Sequence, residues 1–276
     1  MEKCSWLART TGLLLFVTLL AGATYHADAQ ELRIGGTGSA LGTMQLLASA
    51  LPKSDSRSVA VTLVPNLGST GAMRALLAGA IDIAVISRPL KAEETAPGLV
   101  SFEYGRSPFV LVTSKSGVKN ITAGTLADAL SGRVNTWPDG EQLRFVMRPE
   151  SDGDNIYLAS FSPEIAASLK LAHKRPGLIM ASTDQEAADQ AERVAGSLAV
   201  NTLALVQSER RKLNVLPFNG AMPSVKALAE GTYPYFKPLL MVTRGAPAGP
   251  SARFMAFTKS PQGRAILEAN GHLVSH

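Results

Sequence analysis

Residues 148–155 read Arg-Pro-Glu-Ser-Asp-Gly-Asp-Asn, which places one guanidinium and three carboxylates within eight positions. A guanidinium presents a planar fork of donors that fits carboxylate or phosphate oxygens. The carboxylates present acceptors, for a metal ion or for the arginine itself. Three chemistries are therefore open to the run: an anion-binding loop with Arg148 at its mouth, a metal loop, or a solvated turn. Glu150, Asp152 and Asp154 share the 1-3-5 spacing of a calcium loop. Asn155 stands where that loop needs glycine, however, and Phe161 where it needs glutamate, so no metal and no cofactor are expected.

Three other short runs carry small hydroxyl and glycine residues: Thr37-Gly38-Ser39, Ser69-Thr70-Gly71, and Ser87 followed by Arg88. Each follows a strand-like stretch. At the carboxyl edge of a parallel sheet, such turns lead into helix N-termini, whose free N–H groups and partial positive charge hold oxyanions. The same residues would also serve as plain helix caps and turns. Three turns of this kind on consecutive strands favour a ligand role. Gly36-Thr37-Gly38-Ser39-Ala40-Leu41 lacks the last glycine of a dinucleotide fingerprint, and Thr37 breaks the pattern of a nucleophile elbow around Ser39. His173, His272 and His276 lie beside no candidate nucleophile in sequence.

The elements that must position these groups alternate between strand and helix. LRIGG at 32–36, VAVTLVPN at 59–66, IDIAVIS at 81–87 and FVLVTS at 109–114 read as strands. Leu41, Met44, Ala48 and Leu51 make one apolar helical face between the first two. The continuous apolar runs suit strands covered on both faces, so the class is α/β with mostly parallel sheets flanked by helices. The middle of the chain opens with a turn-helix-turn stretch and continues through RFVMR, a helix-rich segment and SLAVN at 197–201. LNVLPFN and KPLLMVTR, 237–244, follow as strands, with helices to the end. The return of α/β signals predicts a discontinuous first lobe, 31–113 plus 213–276, and a second lobe, 114–212.

The chain has 276 residues and a formal charge of +5, with no Lys/Arg block and only 6% aromatic residues. Small anions suit this balance, and no nucleic-acid partner is expected. The first 29 residues show a basic start, an apolar run at 12–22 and Ala27-Asp28-Ala29, the pattern of a secretory signal peptide cleaved after Ala29. The run is too short for a membrane span, which needs ~20 residues. The single cysteine, Cys4, falls in that segment, so the mature chain is expected to fold without disulfides.

ITAGTLADALSGRVNTWPDG at 121–140, GTYPYFKPLLMVT at 231–243 and the two glycine-hydroxyl turns together resemble the periplasmic phosphate-binding proteins of ABC transporters, with the type II solute-binding fold. That resemblance covers nearly all of 31–276. It implies two lobes joined by crossing strands and an oxyanion closed between them, delivered to a permease by a monomer that catalyses nothing. Carried over residue by residue, it implies ligand contacts from Thr37, Gly38, Ser39, Ser69 and Arg148; Thr70, Gly71, Ser87, Arg88, Asp152, Gly153 and Asp154, in the same turns and loop, complete the expected site. Two departures stand out. Asp152 and Asp154 replace the hydroxyl residues that usually follow the cleft arginine, and Arg88 follows Ser87 where many members have aspartate. Arg88 could pair with Asp152 or Asp154 across the cleft, the ligand could have changed, or the site could have lost its ligand. Oxyanion capture, phosphate first, is the leading expectation. A sensing or partner-binding protein of the same fold and a metal-dependent phosphate-ester hydrolase are its rivals.

Overall fold

The computed structural model describes residues 30–52, 59–95 and 98–274, so the expected signal peptide at 1–29 lies outside the described residues. β1 (Gln30–Gly36) leads through Thr37 into α1 (Gly38–Ala50). β2 (Val59–Val64), α2 (Gly68–Leu77) and β3 (Ile83–Ile86) follow. β1 lies between β2 and β3 and is parallel to both. The turns leaving these three strands therefore open at one edge of the sheet.

The next strand departs from expectation. The run at 109–114 is the end of a much longer strand, β4 (Leu99–Thr113), and it is antiparallel to its neighbours. The middle of the chain then supplies α3 (Ala123–Ser131), β5 (Arg144–Met147), α4 (Asp154–Ala159), α5 (Pro163–Ala172) and β6 (Ile179–Met180). After these come α6 (Asp184–Arg193), β7 (Ser197–Thr202), α7 (Leu203–Ser208) and β8 (Asn214–Val215). The chain ends with α8 (Val225–Ala229), β9 (Phe236–Arg244), α9 (Gly249–Lys259) and α10 (Pro261–Ala269). Of the LNVLPFN stretch, only Asn214–Val215 forms a strand; Pro217 lacks the N–H that a longer ladder needs.

The strand order is β2-β1-β3-β9-β4-β7-β5-β6, with β8 beside β4. β5 is parallel to β6 and β7, so each end of the sheet is parallel. β4 and β9 run antiparallel through the centre. β4 pairs with β9 from Leu99 to Pro108 and with β7 from Phe109 to Val112, and so crosses from one half of the molecule to the other.

Each half is covered on both faces. Leu32, Ile34, Met44, Leu47 and Met241 fill one side of the first half, and Met73, Leu76, Ile86 and Val242 the other. Phe109, Leu126, Phe145, Leu198 and Phe218 form the main core of the second half. Val110, Val112, Ala187 and Val206 back it. The two-sided burial explains the continuous apolar strands; each such side chain contributes about 1.5–3 kcal/mol. Leu216, Phe218 and Tyr233 belong to the second core. The chain between residue 213 and β9 thus packs with the middle segment, fixed by ring contacts of Phe218 with Phe161 and Tyr235.

Candidate functional site

The parallel edge of β1, β2 and β3 faces the loop after β5 across a cleft of about 350 Å³. Thr37, Gly38, Ser69, Thr70, Ser87 and Arg88 line it from one side, and Arg148, Asp152, Gly153 and Asp154 from the other. Among the residues expected at the site, Ser39 lies just beneath this lining and Gly71 sits a step further into α2, outside it.

The hydroxyl groups are tied to one another. The Ser87 amide donates to Ser69 Oγ at 3.0 Å, and Ser87 Oγ donates to Thr37 Oγ1 at 3.2 Å. Thr37 Oγ1 in turn donates to Asp184 Oδ2 at 3.2 Å. The same carboxylate oxygen accepts from the Ser39 amide at 2.8 Å and from Ser39 Oγ at 3.1 Å. Thr37 precedes α1 without its side chain capping that helix. The acceptor for the buried N-terminal end of α1 is instead Asp184, at the start of α6, 147 residues away from Thr37. Close approach of the two helix starts depends on Gly38. A Cβ there would collide with Gln185 Oε1 and come within 2.8 Å of Asp184 Cβ.

Arg148 is buried and held by its own loop. It donates to Asp152 Oδ2 at 2.6 Å and to the Ala181 carbonyl at 3.1 Å, with Asp184 Oδ1 at 3.6 Å. Asp152 Oδ1 also accepts from the Asp154 amide at 2.8 Å, which shapes the turn into α4. Asp154, also buried, binds Lys237 of β9, whose side chain is 1% exposed and whose ammonium lies 4.8 Å from the Phe109 ring centre. Arg148 and Lys237 thus face Asp152, Asp154 and Asp184, two cations against three carboxylates.

That imbalance sets the protonation pattern. Burial raises the Asp154 carboxyl to about 7; Lys237 opposes the rise, while Asp184 and Asp152 add to it. Burial also works to raise Asp184, but Lys237, Arg148 and the Ser39 donors outweigh it and hold that carboxyl at about 2. Desolvation works against the charge on Lys237, and Asp154 and Asp184 more than restore it, so the ammonium stays protonated. Asp184 is therefore the carboxylate held charged at the start of α1, and Asp154 is the more readily protonated of the two.

Arg88 does not cross the cleft to Asp152 or Asp154. It pairs with Glu94 at 2.6 and 2.7 Å, in the short 3-10 turn Ala92–Glu94 of its own segment. A partner six residues away is held by the local turn, whereas a cross-cleft partner must be held by the closure of two halves. Asp184 and Lys237, both central, lay outside the residues singled out from sequence. The Ser-Thr-Asp start of α6 was a visible cap signal, and a lone lysine in the apolar stretch of β9 was a visible oddity. Neither indicates its partner. Tyr157 adds a contact between the halves, donating to the Ser87 carbonyl at 2.7 Å.

A model of the PBP superfamily domain matches residues 22–261. The chain belongs to the PBP superfamily. It is a member of a family of binding proteins rather than of enzymes. Among solved structures it is similar to a putative phosphate ABC transporter substrate-binding protein with bound phosphate from Clostridium perfringens, with a TM-score of 0.73 and 18% identity over 90% of this chain and 100% of that one. It is also similar to a phosphate-binding protein from Stenotrophomonas maltophilia, with a TM-score of 0.65 and 14% identity over 90% of this chain and 91% of that one. The periplasmic molybdate-binding protein of Azotobacter vinelandii aligns with a TM-score of 0.61 and 18% identity, over 89% of this chain and 100% of that one. No curated protein matches. These likenesses show the fold, that of two-lobed binding proteins with a cleft between α/β lobes. Among the described residues, no group of three or more His, Cys, Asp or Glu is arranged to hold a metal ion, and no helix is long and apolar enough to cross a membrane.

Proposed function

We propose that this chain is a secreted periplasmic receptor that captures an inorganic oxyanion, phosphate first, and presents it to an ABC permease. One observation carries the reading: the starts of α1 and α2 and the Arg148 guanidinium converge on a single polar cleft between two halves joined by β4 and β9. Helix starts and arginine are the groups that replace water around an oxyanion. The lobes in this reading are 31–108 with β9 onward, and the intervening 109–235; they differ from the expected 31–113 plus 213–276 and 114–212 because Leu216, Phe218 and Tyr233 pack in the second core, and the cleft residues Thr37, Ser39, Ser69, Thr70, Ser87 and Arg148 serve as contacts. Closure about the crossing strands would expel water and give the permease a distinct form to recognise.

A thermal-shift and calorimetry screen with phosphate, sulfate, molybdate and phosphonates tests this, because a ligand of the folded state stabilises it by mass action. The expected result is saturable binding of at least one oxyanion that Arg148→Ala weakens. Saturable binding that Arg148→Ala leaves unchanged would remove the arginine from the site, and no binding at all would remove the oxyanion. The excess of carboxylates over cations around Arg148 favours a second reading, a solute carrying an amine or several hydroxyls. The same screen with polyamines and sugars separates the two.

A further inference from the structure

The anion seat at the start of α1 already has an occupant. We infer that the Asp184 carboxylate is a resident, intramolecular ligand of that seat, so that a free oxyanion enters only by displacing it. The inference rests on the oxyanion reading above for its ligand, though not for its geometry. Three donors converge on one oxygen of Asp184: the Ser39 amide at 2.8 Å, Ser39 Oγ at 3.1 Å and Thr37 Oγ1 at 3.2 Å. Two tetrahedral hydroxyls and a helix-start amide around one oxygen form the coordination that a bound oxyanion would receive. The second carboxylate oxygen faces the two buried cations, Arg148 at 3.6 Å and Lys237 at 3.9 Å. Both oxygens therefore have the surroundings of an oxyanion in a closed cleft.

The backbone is arranged to deliver this side chain. Asn201 Nδ2 donates to the Asp184 carbonyl at 3.1 Å, and Gln185 Nε2 donates to the Gly38 carbonyl at 2.9 Å. Gly38 removes the side chain that would keep α6 away from α1. An aspartate in the first turn of a helix ordinarily serves its own helix start. Here Thr183 caps α6 through the Glu186 amide, which leaves the Asp184 carboxylate free to serve α1.

Two consequences follow. Asp184 sets specificity, because a solute must offer better coordination than a carboxylate already in place at very high effective concentration. Asp184 also joins the α1 side of the cleft to the α6 side without any solute, so closure does not require one.

The test uses the purified protein, inorganic phosphate by calorimetry, and the solute-free radius of gyration by small-angle scattering. Asp184→Ala is expected to bind phosphate at least about tenfold more tightly than wild type, since the competing occupant is gone. It should also be more expanded than wild type without phosphate and compact with it. Asp184→Asn, which keeps shape and loses charge, provides the comparison if the alanine variant does not fold. Asp152→Asn removes a carboxylate from the same cluster without touching α1; it should raise affinity less than the Asp184 variants do. An equal rise in Asp152→Asn would reduce Asp184 to one charge among several and overturn the inference, as would unchanged phosphate affinity in the Asp184 variants. If no variant binds any oxyanion, the functional reading above fails, and scattering alone decides this one. Expansion of solute-free Asp184→Ala then supports the intramolecular occupant, and compaction equal to wild type overturns it.

Discussion

Lys237→Met isolates the buried lysine–aspartate pair at the base of the cleft. Methionine keeps most of the length of the stem and deletes the ammonium, which lies over the Phe109 and Tyr157 rings as well as against Asp154. The deletion leaves Arg148 alone against Asp152, Asp154 and Asp184, with Asp154 and Lys237 both buried in the wild type. Removing one partner of a buried pair costs about 3–5 kcal/mol. A single lost charge interaction at ~4 Å gives ~4 kcal/mol at an effective dielectric of about 20, in agreement. The loss has an escape route, because Asp154 is already raised to about 7 and takes up a proton readily. The cost should therefore be near the top of the range at pH 8.5 and smaller at pH 6. Lys237→Met combined with Asp154→Asn removes the orphaned charge and should recover at least about half of it, since contacting residues couple by ~0.5–3 kcal/mol. Urea unfolding of the two single variants, the double variant and wild type at both pH values measures all of this. A cost under about 1 kcal/mol at pH 8.5, or additive single-variant costs, would refute the reasoning that the pair is buried and interdependent.

Three further outcomes are expected. In the Asp154 case the folded value, about 7, lies above the ordinary 3.8, so the folded state binds the extra proton and stability falls as pH rises from about 4 to about 7. Buried His272 acts in the opposite sense, its value lowered to about 4 from 6.5, so its contribution is lost as pH falls below 6.5. The difference between wild type and Asp154→Asn in thermal midpoint across pH 4.5–8 isolates the first effect, and a flat difference would contradict it. Gly38→Ala should cost roughly 1–3 kcal/mol through overpacking against Gln185 and Asp184, read in urea, whereas a neutral change would mean that α6 yields freely. Arg88→Ala should lower stability by roughly 1 kcal/mol through loss of the Glu94 pair, yet leave oxyanion affinity within about threefold, because that charge is neutralised locally; a tenfold loss in calorimetry would return Arg88 to the site.

Much of the frame was legible along the chain. The apolar runs at 32–36, 59–66 and 81–87 became β1, β2 and β3, and the hydroxyl turns after them came to one edge because those strands are parallel. Local physics suffices there: periodicity, caps and turn residues act over a few positions. The motifs at 121–140 and 231–243 pointed to the binding-protein family to which the chain belongs. Local chemistry also limited the metal reading of 148–155, and the structure shows that loop folding on itself, with Asp152 neutralising Arg148 four residues away.

What the tertiary structure alone decided are the partnerships over long separations. Apolar runs look alike in either direction, so 109–114 suggests one more parallel strand from sequence; the antiparallel pairing of β4 with β9 and β7 depends on where those distant strands lie. Charge alone leaves a cross-cleft pairing of Arg88 with Asp152 or Asp154 open as one of several accounts, whereas the short turn to Glu94 takes it up locally. Asp184 meets Ser39 across 145 residues and Lys237 meets Asp154 across 83, and no spacing rule links such positions. Sequence determines which side chains can cap, pair or donate, since those properties are intrinsic to each residue and its neighbours. Which partner each one takes depends on burial: once water is excluded, every charge in the cleft must be answered by whatever group the fold has brought within reach.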